Sequence, residues 1–268
     1  MKKLICWLLA MAFSFGSLAV WAERAGLPPG QTWSAGIGIG GVVGPDYRGS
    51  KSYRSYVAPV PYLVYRGHFL RADDEGVRGR FWASSTLEVN LSALATLTPD
   101  AEKNELREGM RPIDSTAEIG PAVDINLTGE TLRRGLLLHL PVRGVISFGR
   151  RSPEYVGWQF EPHLMYRADW FQWDWTLRGG PAFGSGGYHR YYYSVPVEHA
   201  RPDRPAYRAR SGYSGINTQV TVSRRMGRFW YGFYFRYNNL QGARFADSPL
   251  VETEHNASGG MAISWVIF

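Results

Sequence analysis

From residue 33 onward, much of the chain alternates apolar and polar positions. Ala117, Ile119, Pro121, Val123, Ile125 and Leu127 alternate with Glu118, Gly120, Ala122, Asp124 and Asn126. Leu87, Val89, Leu91 and Ala93 alternate with Glu88, Asn90 and Ser92. Trp158, Phe160, Pro162, Leu164 and Tyr166 alternate with Gln159, Glu161, His163, Met165 and Arg167. Phe171, Trp173, Trp175 and Leu177 alternate with Gln172, Asp174, Thr176 and Arg178, and Ile216, Thr218, Val220 and Val222 with Asn217, Gln219, Thr221 and Ser223. Successive side chains of a strand point to opposite faces, so each segment has one apolar and one polar face. A soluble sandwich turns the polar face to water, whereas an outer-membrane barrel turns the apolar face to lipid and the polar face to its lumen. Several segments run beyond the ~5–6 residues usual for globular strands. Their length suits tilted membrane strands, which need ~9–11 residues.

Loop lengths point the same way. Short turns are expected at Arg66-Gly67, Gly129-Glu130, Asp169-Trp170 and Met226-Gly227-Arg228, and long polar connections at 44–54, 98–114, 149–156, 184–212 and 241–256. The two kinds alternate along the chain if 68–97 is one strand. That is the asymmetry of outer-membrane barrels, with short periplasmic turns and long external loops. The reading is all-β: one transmembrane antiparallel up-and-down β-barrel of ten strands. The count becomes twelve if Asp73-Asp74-Glu75-Gly76 is a turn. Pro59, Pro61, Pro121, Pro141 and Pro162 fall inside these segments. Proline lacks the ladder donor, so bulges or weakened pairing are expected there. Val266 and Phe268 share one face of the last strand and Trp265 and Ile267 the other. An apolar inner face at that end needs something inside the barrel to pack against.

The chain ends read as an address. Lys2 and Lys3, the apolar stretch Leu4–Leu18 and Val20-Trp21-Ala22 form a secretory signal with cleavage expected after Ala22. The domains are then a signal at 1–22 and a barrel at 23–268. An uncleaved anchor is the rival reading, but the stretch is short for a spanning helix. Phe268 is the terminal aromatic expected on a barrel's closing strand. The only cysteine, Cys6, lies in the signal, so the mature chain has neither disulfide nor thiol nucleophile.

Charge and chemistry then exclude several classes. The formal charge of +7 falls to +5 once Lys2 and Lys3 leave, and the basic residues are scattered. They are lumen and loop charges, with no nucleic-acid footprint. No phosphate loop, no His-Glu-x-x-His and no Gly-x-Ser-x-Gly occurs, and none of the six histidines is paired at a metal-ligand spacing in sequence. No cofactor or metal is expected. Glu161, His163 and Asp174 are a candidate polar cluster of the lumen. His189, with Ser185 and Ser194 near it in sequence, is the one candidate for a rim enzyme, but neither an oriented base nor an oxyanion site is marked. Tyr188-His189-Arg190-Tyr191-Tyr192-Tyr193 reads as an aromatic girdle with a packed loop, or as a carbohydrate surface.

Four segments carry a family resemblance. Gly44-Pro45-Asp46-Tyr47-Arg48-Gly49-Ser50 follows a first strand opened by Trp33, and Glu118-Ile119-Gly120-Pro121 lies mid-chain. Pro205-Ala206-Tyr207-Arg208-Ala209-Arg210-Ser211-Gly212-Tyr213 precedes a late strand, and Ala243-Arg244-Phe245-Ala246-Asp247-Ser248-Pro249-Leu250-Val251 stands before the last. In this order and spacing the chain resembles the MltA-interacting protein family, also called MipA/OmpV. The resemblance implies an outer-membrane protein. The family's named member is a scaffold joining a lytic transglycosylase to a penicillin-binding protein in peptidoglycan assembly. Other members resemble adhesins or porin-like proteins. The family brings no catalytic residues. Partners so implied are outer-membrane lipid, a lytic transglycosylase and a penicillin-binding protein. Both loop motifs also have plain turn chemistry. Tyr47, Arg48, Arg244 and Asp247 are the candidates for a mouth network built on Arg–carboxylate pairing.

Overall fold

The structure, a computed structural model, describes residues 32–66, 70–73, 76–96, 104–128, 132, 134–148 and 153–267. The signal, the segment Glu23–Gln31, Gly67, Gly129-Glu130 and Phe268 lie outside the described residues. The chain folds into strands β1 Trp33–Pro45, β2 Tyr53–Arg66, β3 Leu70–Asp73, β4 Gly76–Ala83, β5 Leu87–Thr96, β6 Ser115–Asn126 and β7 Gly135–Phe148. Then come β8 Glu154–Phe160, β9 His163–Trp170, β10 Trp173–Gly184, helix α1 Gly186–Tyr193, β11 Gly212–Met226, β12 Phe229–Asn239 and β13 His255–Val266. All strands join one antiparallel sheet, in which chain neighbours pair except β8 and β9, and β13 pairs with β1. The β10–β11 ladder completes the ring, so the sheet is a closed transmembrane barrel. Among the described residues, no helix is long and apolar enough to cross a membrane.

β8 and β9 are one wall element. Both pair with β7, and the interruption falls at Glu161-Pro162, where proline cannot donate to the ladder. The barrel therefore has twelve strands rather than ten. The stretch 68–97 holds three strands, because the chain reverses between Asp73 and Gly76 as well as between Ala83 and Leu87. The expected turn at Asp169-Trp170 lies two residues later. β9 continues through Trp170, and Phe171 and Gln172 form the turn with φ of 50° and 62°. Two positive φ values make the hairpin turn that matches strand twist, a geometry usually given to Asn or Gly. Here Trp170 packs on Phe171 at 4.9 Å and on Trp175 at 5.8 Å, which holds it in place.

The other prolines sit where the ladder tolerates them. The β6–β7 register skips Gly120 and Pro121 opposite Val142 and Arg143. For β2 the direction can be worked out. Ile267 N–H donates to the Ala35 carbonyl on β1, so odd residues of β1 point to β13 and even ones to β2. On β2 the even residues answer them, and Pro59 and Pro61 turn their nitrogens to the opposite edge. Among the described residues, only Tyr65 and Arg66 pair with β3 on that edge. The two missing donors therefore cost no ladder bond.

Alternation sets which face is which. Ile37, Ile39, Val57, Leu164, Leu177, Phe235 and Met261 are exposed on the outside, with Trp33, Trp170, Phe229 and Trp265 ringing the short-turn rim. Glu118, Asp124 and Arg167 are buried on the inside. Near the short-turn rim the inner face is apolar: Val60, Tyr62, Val64, Trp230, Ala262 and Val266 pack together, with the Tyr62 and Trp230 rings 5.8 Å apart. This cluster is what the inner face of β13 packs against. A cysteine at position 164 or 177 is expected to be quenched by lipid-phase reagents, and one at 118, 124 or 167 to be protected. Protection at 164 with quenching at 167 would shift the register by one. Leu164→Arg is expected to destabilise by ~2–4 kcal/mol if the site lies near the midplane.

Candidate functional site

The long-loop rim is closed by a cap. Tyr47, Ile113, Tyr193, Val195, Ala209, Leu240, Ala243, Phe245 and Leu250 form a second apolar core, drawn from the loops 46–52, 104–114, 185–211 and 240–254. At its centre Phe245 stacks on Tyr193 at 3.7 Å and 5°, and meets the His189 ring edge-on at 4.8 Å. The two most distinctive loop motifs, separated by some 200 residues, meet here. Tyr47 Oη donates to the Leu250 carbonyl at 2.8 Å. Gly49, at φ 99°, lies against Val251 and Leu240, and its N–H donates to Asn256 Oδ1 at 2.5 Å. Asn256 Nδ2 donates in turn to the Ser50 carbonyl at 2.8 Å. Asn104 reaches across to Asp46 Oδ2 at 2.9 Å and to Ser50 Oγ at 3.2 Å. Burial pushes the Tyr47 phenol above its ordinary range, so it stays a donor.

The tyrosine-rich run is a helix, not a girdle. Ser185 caps α1, its hydroxyl accepting from the Tyr188 and Trp158 amides at 3.3 and 3.0 Å. Ser194 Oγ accepts from Ala209 N–H at 2.9 Å. Neither serine hydroxyl bonds to the His189 ring. His189 is instead held between the Arg210 carbonyl, 2.5 Å from Nδ1, and Ser214 Oγ, 2.6 Å from Nε2. The carbonyl can only accept, so Nδ1 carries the proton and Ser214 donates to Nε2. The pair is fully buried beneath Phe245.

Burial pushes the His189 imidazole below its ordinary 6.5; the bond to Arg210 opposes this, and the nearby Arg48 cation adds to it. With the folded value depressed, the unfolded chain takes up the proton first. Cap stability is therefore expected to fall as pH drops below about 6.5, levelling only below the folded value. Protease resistance of the loop 185–211 should weaken between about pH 6.5 and 5, and His189→Gln should flatten that dependence. An unchanged dependence in His189→Gln would remove His189 as its source.

The four mouth candidates do not form one network. Tyr47 is buried in the cap core, and Arg48 turns into the lumen, with Nη1 3.4 Å from Asn217 Oδ1. Its carbonyl accepts from Tyr193 Oη at 3.0 Å. Arg244 and Asp247 are exposed on the outer side. Arg54 and Asp46 do form an Arg–carboxylate pair at the mouth, 2.6 Å apart. The turns of 243–251 bury alternate residues, which sends Arg244 and Asp247 outward.

The lumen cluster is also redrawn. Glu161 and His163 are neighbours: His163 Nδ1 donates to the Glu161 carbonyl at 2.8 Å, and Asn217 donates to Glu161 Oε1 at 3.0 Å. Asp174 is not with them. His163 lies beside Gly180, six residues and about 20 Å along β10 from Asp174. The residues that do join His163 come from β6 and β7. His139 faces His163 across the β7–β9 ladder, with ring centroids 4.9 Å apart, and its Nδ1 bonds Asp124, the facing residue of β6. Asp124 also accepts from Asn90 at 2.8 Å and lies 3.6 Å from Arg78. Alternation places each of these inside the barrel, but strand register is needed to see them meet. Arg143 reaches Ser92 at 3.0 Å, and Gln159 donates to Glu118.

A family model described as "MltA-interacting protein MipA" matches residues 37–267. No curated protein matches. Among solved structures, one described as a NanC porin is 7% identical, covers 88% of this chain and 99% of its own, and superposes with a TM-score of 0.40.

Proposed function

Because this chain belongs to the MltA-interacting protein family and is an outer-membrane barrel of that type, we propose that it serves peptidoglycan assembly by contact, as a scaffold. The partner is a membrane-bound lytic transglycosylase, as the family's description suggests, and a penicillin-binding protein is the second. The observation that carries the reading is the loop cap packed over one rim of the barrel. Packed loops cover the long-loop rim, and the apolar cluster around Trp230 and Tyr62 lines one side of the lumen near the other. Such a barrel is poorly suited to conduction. A catalytic role is set aside for a related reason: Ser214 and His189 have a nucleophile–base geometry but lie buried under Phe245, away from substrate.

The short-turn rim faces the periplasm in this reading. Its turns offer little surface, so the segment Glu23–Thr32, left after signal cleavage at Ala22, is the contact for periplasmic partners. Capture with the detergent-solubilised full-length protein should recover a lytic transglycosylase. Deleting Arg24–Gln31 should weaken that recovery while the barrel still shows heat-modifiable mobility. Undiminished capture by the deleted form would move the contact elsewhere. Steady single-channel conductance in planar bilayers, with no murein enzyme captured, would favour a porin-like role instead.

A further inference from the structure

We propose that the lumen holds a site for one divalent transition-metal ion, with His139 and His163 as its protein ligands. The two imidazoles are directly opposite on β7 and β9, inside the barrel, with ring centroids 4.9 Å apart and planes at 50°. Each ring is fixed through Nδ1. The Asp124 carboxylate holds His139, and the Glu161 carbonyl, 2.8 Å away, holds His163. A carbonyl accepts only, so His163 has its proton on Nδ1 and a lone pair on Nε2. Asp124 sets the same tautomer in neutral His139. That Nε2 atom of His163 is buried and has no hydrogen-bond partner. Buried acceptors are nearly always partnered, so a bare one calls for an explanation.

The pattern is that of metal-ligating histidines, which donate the remote ring N–H to a carboxylate or carbonyl and present the other nitrogen to the ion. Here one ring has each kind of support. At Gly180, the inner residue of β10 beside His163, a Cβ would come within 2.1 Å of the Pro162 carbonyl oxygen and 2.7 Å of the His163 Cα, so glycine lets β9 and β10 close together here.

The surrounding charges narrow the ion. Arg143 and Arg178 lie near His163, although Arg143 is engaged by Ser92 and Arg178 by Gln219 at 2.7 Å. Arg78 shares Asp124. These cations oppose any ion held by charge alone. Calcium and magnesium need a cage of oxygens and are excluded on that ground. Copper, nickel and zinc bind neutral imidazole through nitrogen lone pairs. Among the described residues, no group of three or more His, Cys, Asp or Glu side chains converges on one point. The ion therefore keeps water on its remaining positions, and the site is open and exchangeable rather than structural.

The test uses untagged full-length protein in detergent and Cu²⁺ alone as the probe. At pH 7.5, paramagnetic resonance should show one Cu²⁺ per barrel with hyperfine coupling to two imidazole nitrogens. His163→Gln and His139→Gln should each lower affinity at least tenfold, whereas His255→Gln, at the long-loop rim, should leave it unchanged. Heat-modifiable mobility would check that each variant is folded. A wild-type spectrum without nitrogen coupling overturns the proposal with no variant needed. So does binding that survives in folded His163→Gln.

Discussion

Replacing Phe245 with Ala is expected to unseat the loop cap while leaving the barrel wall standing. The ring is fully buried, stacked on Tyr193 and edge-on to His189, so nothing nearby can relax into the space it leaves. Truncating such a buried aromatic costs about 3–5 kcal/mol. The loss falls on the loops because the strands are held by their own ladder. Trypsin offers a direct reading. Arg107 is buried in the cap, donating to the Tyr192 and Arg111 carbonyls at 2.7 and 3.1 Å. Where cleavage follows the open population, cutting after Arg107 should accelerate at least about a hundredfold in Phe245→Ala. Heat-modifiable mobility should persist. Unchanged cleavage at Arg107 would mean that the cap does not depend on this ring.

Within the lumen, the largest loss is expected from Asp124→Ala. One carboxylate serves His139, Asn90 and Arg78, all buried. Removing it takes a charged partner from a buried guanidinium and a buried imidazole together. Breaking a buried pair from one side costs about 3–5 kcal/mol, far more than the intact pair contributes. The temperature at which the folded band disappears on gels should fall clearly for Asp124→Ala. Replacing exposed Asp247 with Ala should leave it in place. Equal effects at the two positions would show that the lumen network carries no special weight.

The barrel was legible in the sequence because lipid and lumen impose opposite demands on successive residues. That period of two set the inward positions of Glu118, Asp124, His163 and Arg167 before any coordinates. The strand count was not legible, because β3 is four residues long and too short to show a period. The turn at Phe171-Gln172 escaped because its residues lack turn chemistry; neighbouring tryptophans hold it instead. Helix α1 escaped because Gly186, Gly187 and a tyrosine run are weak helix formers, so packing and the Ser185 cap sustain it. Of the site, the two loop motifs were visible as motifs, but their meeting was not. Neither was the His139–His163 contact, which depends on strand register across a reversal of the chain and the break at Glu161-Pro162.

The meeting of those motifs bears on the order in which the molecule is put together. The segment around Tyr47 and Gly49 hangs from β1 and β2, and its docking partners Leu250, Val251 and Asn256 hang from β12 and β13. They are remote in the chain and become neighbours only through the β1–β13 ladder, the contact that turns a sheet into a ring. An open sheet has the same loops but holds them at opposite margins, with the full entropy of a long loop still to be lost. The cap is thus a latch that engages only after the seam has shut. A chain that stalls with its ends apart would present the unlatched motifs, and their apolar side chains, to whatever machinery inserts and inspects it.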